Sequence, residues 1–156
     1  MKLVDFLNKK AATIGLEAKD KESVVRELVG LIVKAGEIKP KDEESLVKIV
    51  LDREALGSTG IGQNIGIPHG KSSNIIRLTG AVGISKEGIN FDSLDGEPAY
   101  IFFLLLAPQD SAGPHLKALA RISRLLKDKY FRDMLRSAKT EKDLISVIIK
   151  EDQKQH

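Results

Sequence analysis

The chain has 156 residues, of which 42% are hydrophobic and 30% charged, enough to bury the core of one globular domain. Its 25 basic and 22 acidic residues nearly cancel to +3; with 4% aromatic residues and no tryptophan, this argues against a nucleic-acid footprint or a base-stacking platform. Cysteine is absent, which excludes disulfides, thiolate metal sites and a cysteine nucleophile or carrier.

The start, MKLVDFLNKK, mixes both charges before any apolar run forms, so no signal peptide is read. The longest apolar run, Ala99 to Ala107, stops at Pro108, far short of a membrane span, and a soluble cytoplasmic protein is expected. After a short amphipathic start (Leu3, Val4, Phe6, Leu7), weak alternation predicts a brief strand over Ala12 to Ala18. Asp20 reads as a helix cap, and Val24, Val25, Leu28, Leu31, Ile32 and Ala35 recur at helical spacing until Gly36. A second helix is predicted beyond Pro40, with Asp42, Glu43 and Glu44 in its first turn and Leu46, Val47, Val50 and Leu51 inward, ending near Gly57.

Period two then takes over. Ile61, Ile65 and Ile67 fall on one side and Gly62, Asn64 and Gly66 on the other, the pattern of a strand with one bare face; Ile76, Leu78, Val82 and Ile84 predict a second strand. A turn-rich stretch, Phe91 to Pro98, precedes Tyr100 to Leu106, a run apolar on both faces that suits a central, doubly covered strand. Three helices are predicted to finish the chain: Gly113 to Lys127, a short one holding Phe131, Met134 and Leu135, and one capped by Thr140 with Asp143 three residues on. The fold class expected is α/β, a small mixed sheet sandwiched between helices in a single domain over residues 1–150. Residues 151–156 are expected to form a disordered tail in which His156 has no role.

Five of the 13 glycines fall between Gly57 and Gly70. Neither nucleotide loop fits there. A phosphate loop ending Gly70-Lys71-Ser72 needs glycine where Ile65 stands, and a dinucleotide fingerprint starting at Gly60 needs its third glycine at the same residue. His69 stands out instead, set between Pro68, which fixes its own φ and restricts Ile67, and the conformationally free Gly70. A lone histidine there is ordinarily a polar turn residue. Here the bare glycine face leaves room for a partner's backbone or a phosphoryl group, and Lys71 and Ser72 add a cation and a hydroxyl. His115, after Pro114 in the first turn of a helix, shares the inward face of Ala118, Leu119 and Ile122; it reads as a half-buried capping residue or as part of an anion site at the helix start.

These residues fall into ordered blocks: Arg53-Glu54, then Gly57-Ser-Thr-Gly-Ile-Gly62, Ile65-Gly-Ile-Pro-His-Gly-Lys71, Phe91-Asp-Ser-Leu-Asp-Gly96, Leu105-Leu-Ala-Pro108 and His115-Leu-Lys-Ala-Leu-Ala-Arg-Ile-Ser123. Over nearly the whole chain the sequence resembles the type 2 EIIA domains of the bacterial phosphoenolpyruvate-dependent sugar phosphotransferase system, the fructose, mannitol and nitrogen-regulatory group. Many members carry alanine in place of Gly66 and glycine in place of Asn64.

The resemblance implies a phosphotransferase component in which His69 accepts a phosphoryl group from the phosphohistidine of HPr. It implies that His115 is the second active-site histidine and Arg53 a nearby cation; from their positions beside His69, Gly70, Lys71 and Ser72 are expected around the phosphoryl group. Sugar-transporting members pass the group to a cysteine of an EIIB domain, which the missing cysteine places on a separate chain. The fructose type is favoured. In nitrogen-regulatory members the phosphorylation state instead controls binding to regulatory target proteins. The scheme requires no cofactor and no metal, no nucleic acid, and no membrane insertion beyond indirect association through EIIB and EIIC. The chemistry agrees: an acceptor must be a neutral imidazole with one free nitrogen, and its adduct brings about two negative charges that nearby cations and N–H groups offset.

Overall fold

A computed structural model describes residues 1–154 as eleven regular elements and two short 3-10 turns. The helix α1 (Lys21–Lys34) begins where expected, because Asp20 Oδ1 accepts the Ser23 N–H at 2.8 Å and the Ser23 hydroxyl reaches back to Asp20. It ends before Gly36, whose φ of 86° only glycine adopts freely. Pro40–Asp42 forms a 3-10 turn that leads into α2 (Glu43–Ala55), which buries Leu46, Val47 and Val50.

Six strands form one mixed sheet: β1 (Leu7–Thr13), β2 (Gly60–Gly62), β3 (Ile65–Gly66), β4 (His69–Ser72), β5 (Thr79–Ile89) and β6 (Ala99–Pro108). The central strand is β6, as its two-sided apolar run requires: β5 pairs with it antiparallel on one edge, and β3 and β4 run parallel to it on the other. β1 extends the sheet beside β5, and β2 beside β3. Ile101, Phe103 and Leu105 pack under α3 (Ala112–Leu125), α4 (Lys129–Ser137) and α5 (Glu141–Lys154), whereas Phe102, Leu104 and Leu106 pack under α1 and α2. Each such buried side chain contributes about 1.5–3 kcal/mol relative to exposure. Among the described residues no helix is long and apolar enough to cross a membrane.

Four expectations change. The first strand lies at residues 7–13, not 12–18; Lys9 and Lys10 are exposed on this edge strand, which blurs the alternation, and only Ala12 and Thr13 belong to both ranges. The predicted strand through Ile61, Ile65 and Ile67 is a tight hairpin followed by β4. Gln63 and Asn64 both adopt positive φ (55° and 67°), and Ile61 on the outer arm is 43% exposed while Ile65 and Ile67 are buried. Ile76 lies in the turn before β5 and is 96% exposed, so the next strand starts at Thr79. Finally, α5 continues through Lys154, and Glu151 and Asp152 are buried, so the expected tail is helix as far as residue 154. His156 lies outside the described residues.

Candidate functional site

Pro68 breaks the edge of the sheet between β3 and β4 while its carbonyl still accepts the Leu105 N–H at 3.1 Å. His69 therefore opens β4 in register with Leu105, on the side of the sheet that α3 covers. The imidazole is half-buried, and its Nδ1 lies 2.8 Å from the Ile67 carbonyl oxygen. A carbonyl only accepts, so Nδ1 carries the ring proton and Nε2 keeps a lone pair, with no protein hydrogen bond among the described residues. Burial pushes the ring's pKa below 6.5; the hydrogen bond to Ile67 opposes this, Arg53 adds to it and Glu54 opposes it more weakly. At neutral pH His69 is an uncharged imidazole with one nitrogen available.

His115 sits in the first turn of α3, its backbone N–H donating to Ser111 O at 2.9 Å. Only 7% of its surface is exposed, and its ring meets that of His69 edge to face, centroids 5.3 Å apart at 71°. Its Nε2 is buried with no hydrogen-bond partner among the described residues. Burial first, then the positive charges of His69 once it is protonated and of Lys71, push its pKa down to about 4. The Ser111 hydroxyl donates to Pro108 O, so no side chain caps α3, and the positive end of the helix dipole is left beside the two rings.

The other expected site residues divide by strand parity. Lys71 is exposed on the same side of β4 as His69, and its charge reaches His115. Gly70 and Ser72 point the other way, toward α2. A Cβ on Gly70 would come within 2.9 Å of Ile49 Cγ2, and the Ser72 hydroxyl oxygen accepts the Asn74 N–H. They support the strand, and their side chains do not surround His69. The glycine face is likewise filled by the protein: a Cβ on Gly66 would lie 2.8 Å from the Phe102 ring.

Arg53, in the last turn of α2, donates to Gly57 O at 2.8 Å and lies close enough to act on the charge of His69. Next to it is a group that sequence reasoning missed. Glu54 is buried, accepts the N–H and hydroxyl of Thr59, and pairs with Lys21 Nζ at 3.2 Å; Lys21 also reaches Asp92 at 2.9 Å. This cluster ties the start of α1 and the end of α2 to the loops at residues 57–60 and 91–96, and so fixes the segment from which Arg53 projects. The signal was there to read: Val47, Val50 and Glu54 share one helical face, and a carboxylate in an apolar stripe requires partners.

The depressed pKa of His115 is also a statement about stability. The unfolded chain takes up the proton first as pH falls, so His115's contribution is fully present above its unfolded pKa and is lost from about pH 6.5 downward. Between about pH 6.5 and 4 the folded state is expected to lose on the order of 1–3 kcal/mol through this one residue, solvent screening reducing the full value. Urea denaturation across that range checks it, with His115→Gln expected to flatten the pH dependence by about that amount; parallel curves for the two proteins would refute the assignment.

The family model for the phosphoenolpyruvate-dependent sugar phosphotransferase system, EIIA 2, matches residues 5–151. The fructose-specific EIIABC component of Bacillus subtilis (strain 168) is 38% identical over 152 residues, 97% of this chain but 24% of that protein, so the chain spans about a quarter of its length. The nitrogen regulatory protein of Bradyrhizobium diazoefficiens is 35% identical over 148 residues, 95% of each chain. In structure, the nitrogen regulatory protein IIA-Ntr of Neisseria meningitidis gives a TM-score of 0.83 at 26% identity, covering 92% of this chain and 97% of that one. With the match spanning the sheet, both histidines and the helices on either side, the chain belongs to the EIIA type 2 family of the phosphoenolpyruvate-dependent sugar phosphotransferase system.

Proposed function

We propose that this chain is a histidine phosphocarrier in which His69 Nε2 accepts a phosphoryl group from phospho-HPr and passes it to a cysteine of an EIIB domain. The observation that carries this reading is the locked tautomer: Ile67 O holds the Nδ1 proton, and Nε2 presents its lone pair beside a second, buried imidazole. In the transfer the lone pair of Nε2 forms the new N–P bond while the donor's N–P bond breaks, and the electron pair of the broken bond stays on the donor nitrogen. Arg53, Lys71 and the start of α3 offset the arriving charge. His115, held in place by α3, faces the group once it is on His69.

The fructose-type reading draws on the B. subtilis relative, a fructose-specific EIIABC component. A nitrogen-regulatory role draws on the Bradyrhizobium relative, which this chain matches nearly end to end. One reconstitution separates them. With phosphoenolpyruvate, enzyme I and HPr, the protein is expected to acquire an acid-labile phosphate, and adding a fructose-type EIIB domain is expected to move that phosphate onto the EIIB cysteine. Phosphorylation without onward transfer would favour the regulatory reading; no phosphorylation would refute the carrier.

A further inference from the structure

His115 carries a buried nitrogen without a partner, 93% removed from solvent as a residue and 5.3 Å, ring to ring, from the proposed acceptor. Such a group is costly unless another state of the protein supplies its partner. If His69 is the carrier, as proposed above, the missing partner is the phosphoryl group, whose oxygens only accept hydrogen bonds. We propose that phosphorylation of His69 draws a proton from solvent onto His115, so that the second histidine is neutral in the empty carrier and cationic in the loaded one. The proposal rests on the phosphocarrier reading.

The charges around His115 favour this. From β4 the groups that reach it are His69 and Lys71, both of which resist its protonation in the empty state. From α2, Arg53 and Glu54 act on His69 with opposite signs. β6, on which α3 packs, offers no ionisable group but Tyr100, and the 3-10 turn Leu3–Asp5, also against α3, offers Asp5, which is exposed and accepts the Lys2 N–H. Nothing in the empty site therefore supplies the strong negative field that a buried imidazolium needs. A phosphohistidine supplies it. Its net charge is about −1 to −2, and each unit of charge about 5 Å away, at an effective dielectric constant near 20, raises a pKa by about two. From about 4 in the empty protein, His115 would move to between about 6 and 8 in the loaded one.

The protons balance. The Nδ1 proton of His69 stays on the nitrogen that Ile67 O holds. One solvent proton returns the donor ring to a neutral imidazole, and a second settles on His115. By linkage, the His115 proton by itself makes lowering the pH between its two midpoints favour the loaded form by up to about tenfold per unit.

The test is NMR titration of the His115 ring nitrogens in protein labelled with 15N-histidine, free and after phosphorylation by enzyme I and HPr. The free ring is expected to stay neutral from pH 8 down to about 5, and the phosphorylated protein's His115 is expected to titrate at least about two units higher, a hundredfold gain in proton affinity. His115→Gln, which keeps an N–H donor but takes up no proton, is expected to make the pH dependence of phosphoryl exchange with HPr between about pH 5 and 7 shallower than wild type by up to one proton, about a tenfold change per pH unit. A ring that stays neutral at pH 6 in the phosphorylated protein would overturn proton uptake while leaving the carrier reading intact. Absence of any phosphate on His69 would overturn both.

Discussion

Replacing His69 with glutamine is expected to abolish phosphoryl acceptance while leaving the protein folded. A glutamine amide can still donate to Ile67 O, so the local bond at 2.8 Å has a substitute, and the half-buried site loses little packing. What it lacks is a nucleophilic nitrogen lone pair. Loss of a nucleophile typically lowers the rate by more than about 10⁴-fold, whereas the stability change should stay within about 1 kcal/mol. The measurement is acid-labile phosphate incorporated from phosphoenolpyruvate through enzyme I and HPr, with denaturation curves as the control for folding. Wild-type levels of label in the variant would show that another residue is the acceptor. The pH dependence adds a second check. Because burial keeps the acceptor ring's pKa below 6.5, wild-type acceptance should hold as pH falls through 6.5 and decline only when the ring itself is protonated at lower pH.

That histidine was legible because its neighbours are conformationally specialised. Pro68 fixes the backbone on one side and Gly70 leaves it free to turn on the other, and such punctuation is written in the sequence. The orientation of the site was not. Whether a residue faces α3 or α2 depends on the register of β4 against β6, and a one-residue change exchanges the faces. Hence Lys71 joins His69, whereas Gly70 and Ser72 belong to the packing against α2. The glycines show the same limit. A glycine-rich stretch reports that something comes close, but only the fold reveals that Phe102 and Ile49 fill the space.

The fold was read best where a pattern is local and long. Asp20 and Gly36 bracket α1, and the two-sided apolar run of β6 identifies the centre of the sheet. It was read worst where short elements answer to distant partners. The hairpin at Gln63-Asn64 is held by Asn64 O, which accepts the N–H groups of Tyr100 and Ile101, and by Asp95, which accepts the Gln63 N–H. Those partners lie more than 30 residues away in sequence, so the local alternation of Ile61, Ile65 and Ile67 suggested one continuous strand.

The end of α5 shows how far such long-range pairing can override composition. Glu151-Asp152-Gln153-Lys154 reads as solvated, yet Asp152 is 0% and Arg121 4% exposed. Arg121 Nη2 meets Asp152 Oδ1 at 2.7 Å and the Asp152 carbonyl at 2.8 Å, Nε meets the same carboxylate at 3.1 Å, and Asp152 Oδ2 accepts the Val4 N–H at 3.0 Å. One carboxylate thus joins α3, α5 and the N-terminal turn. Desolvating the pair is costly, so replacing both partners by apolar side chains of similar volume should cost less than removing one. Asp152→Ala removes this carboxylate from Arg121 and leaves Val4 N–H without the acceptor it has at 3.0 Å, and it is expected to lower stability by about 1–3 kcal/mol, or the thermal midpoint by about 2–12 °C. Asp152→Asn keeps one oxygen for Arg121 but turns an NH₂ toward the Val4 N–H, and should fall between the two. Urea denaturation of these variants beside an Arg121→Met/Asp152→Leu pair checks the order. A loss below about 1 kcal/mol for Asp152→Ala, or a double replacement costlier than the single one, would refute it. His115 lies on α3 six residues before Arg121, so an Asp152→Ala protein kept folded at low temperature should still be phosphorylated, which separates this clamp from the chemistry at His69.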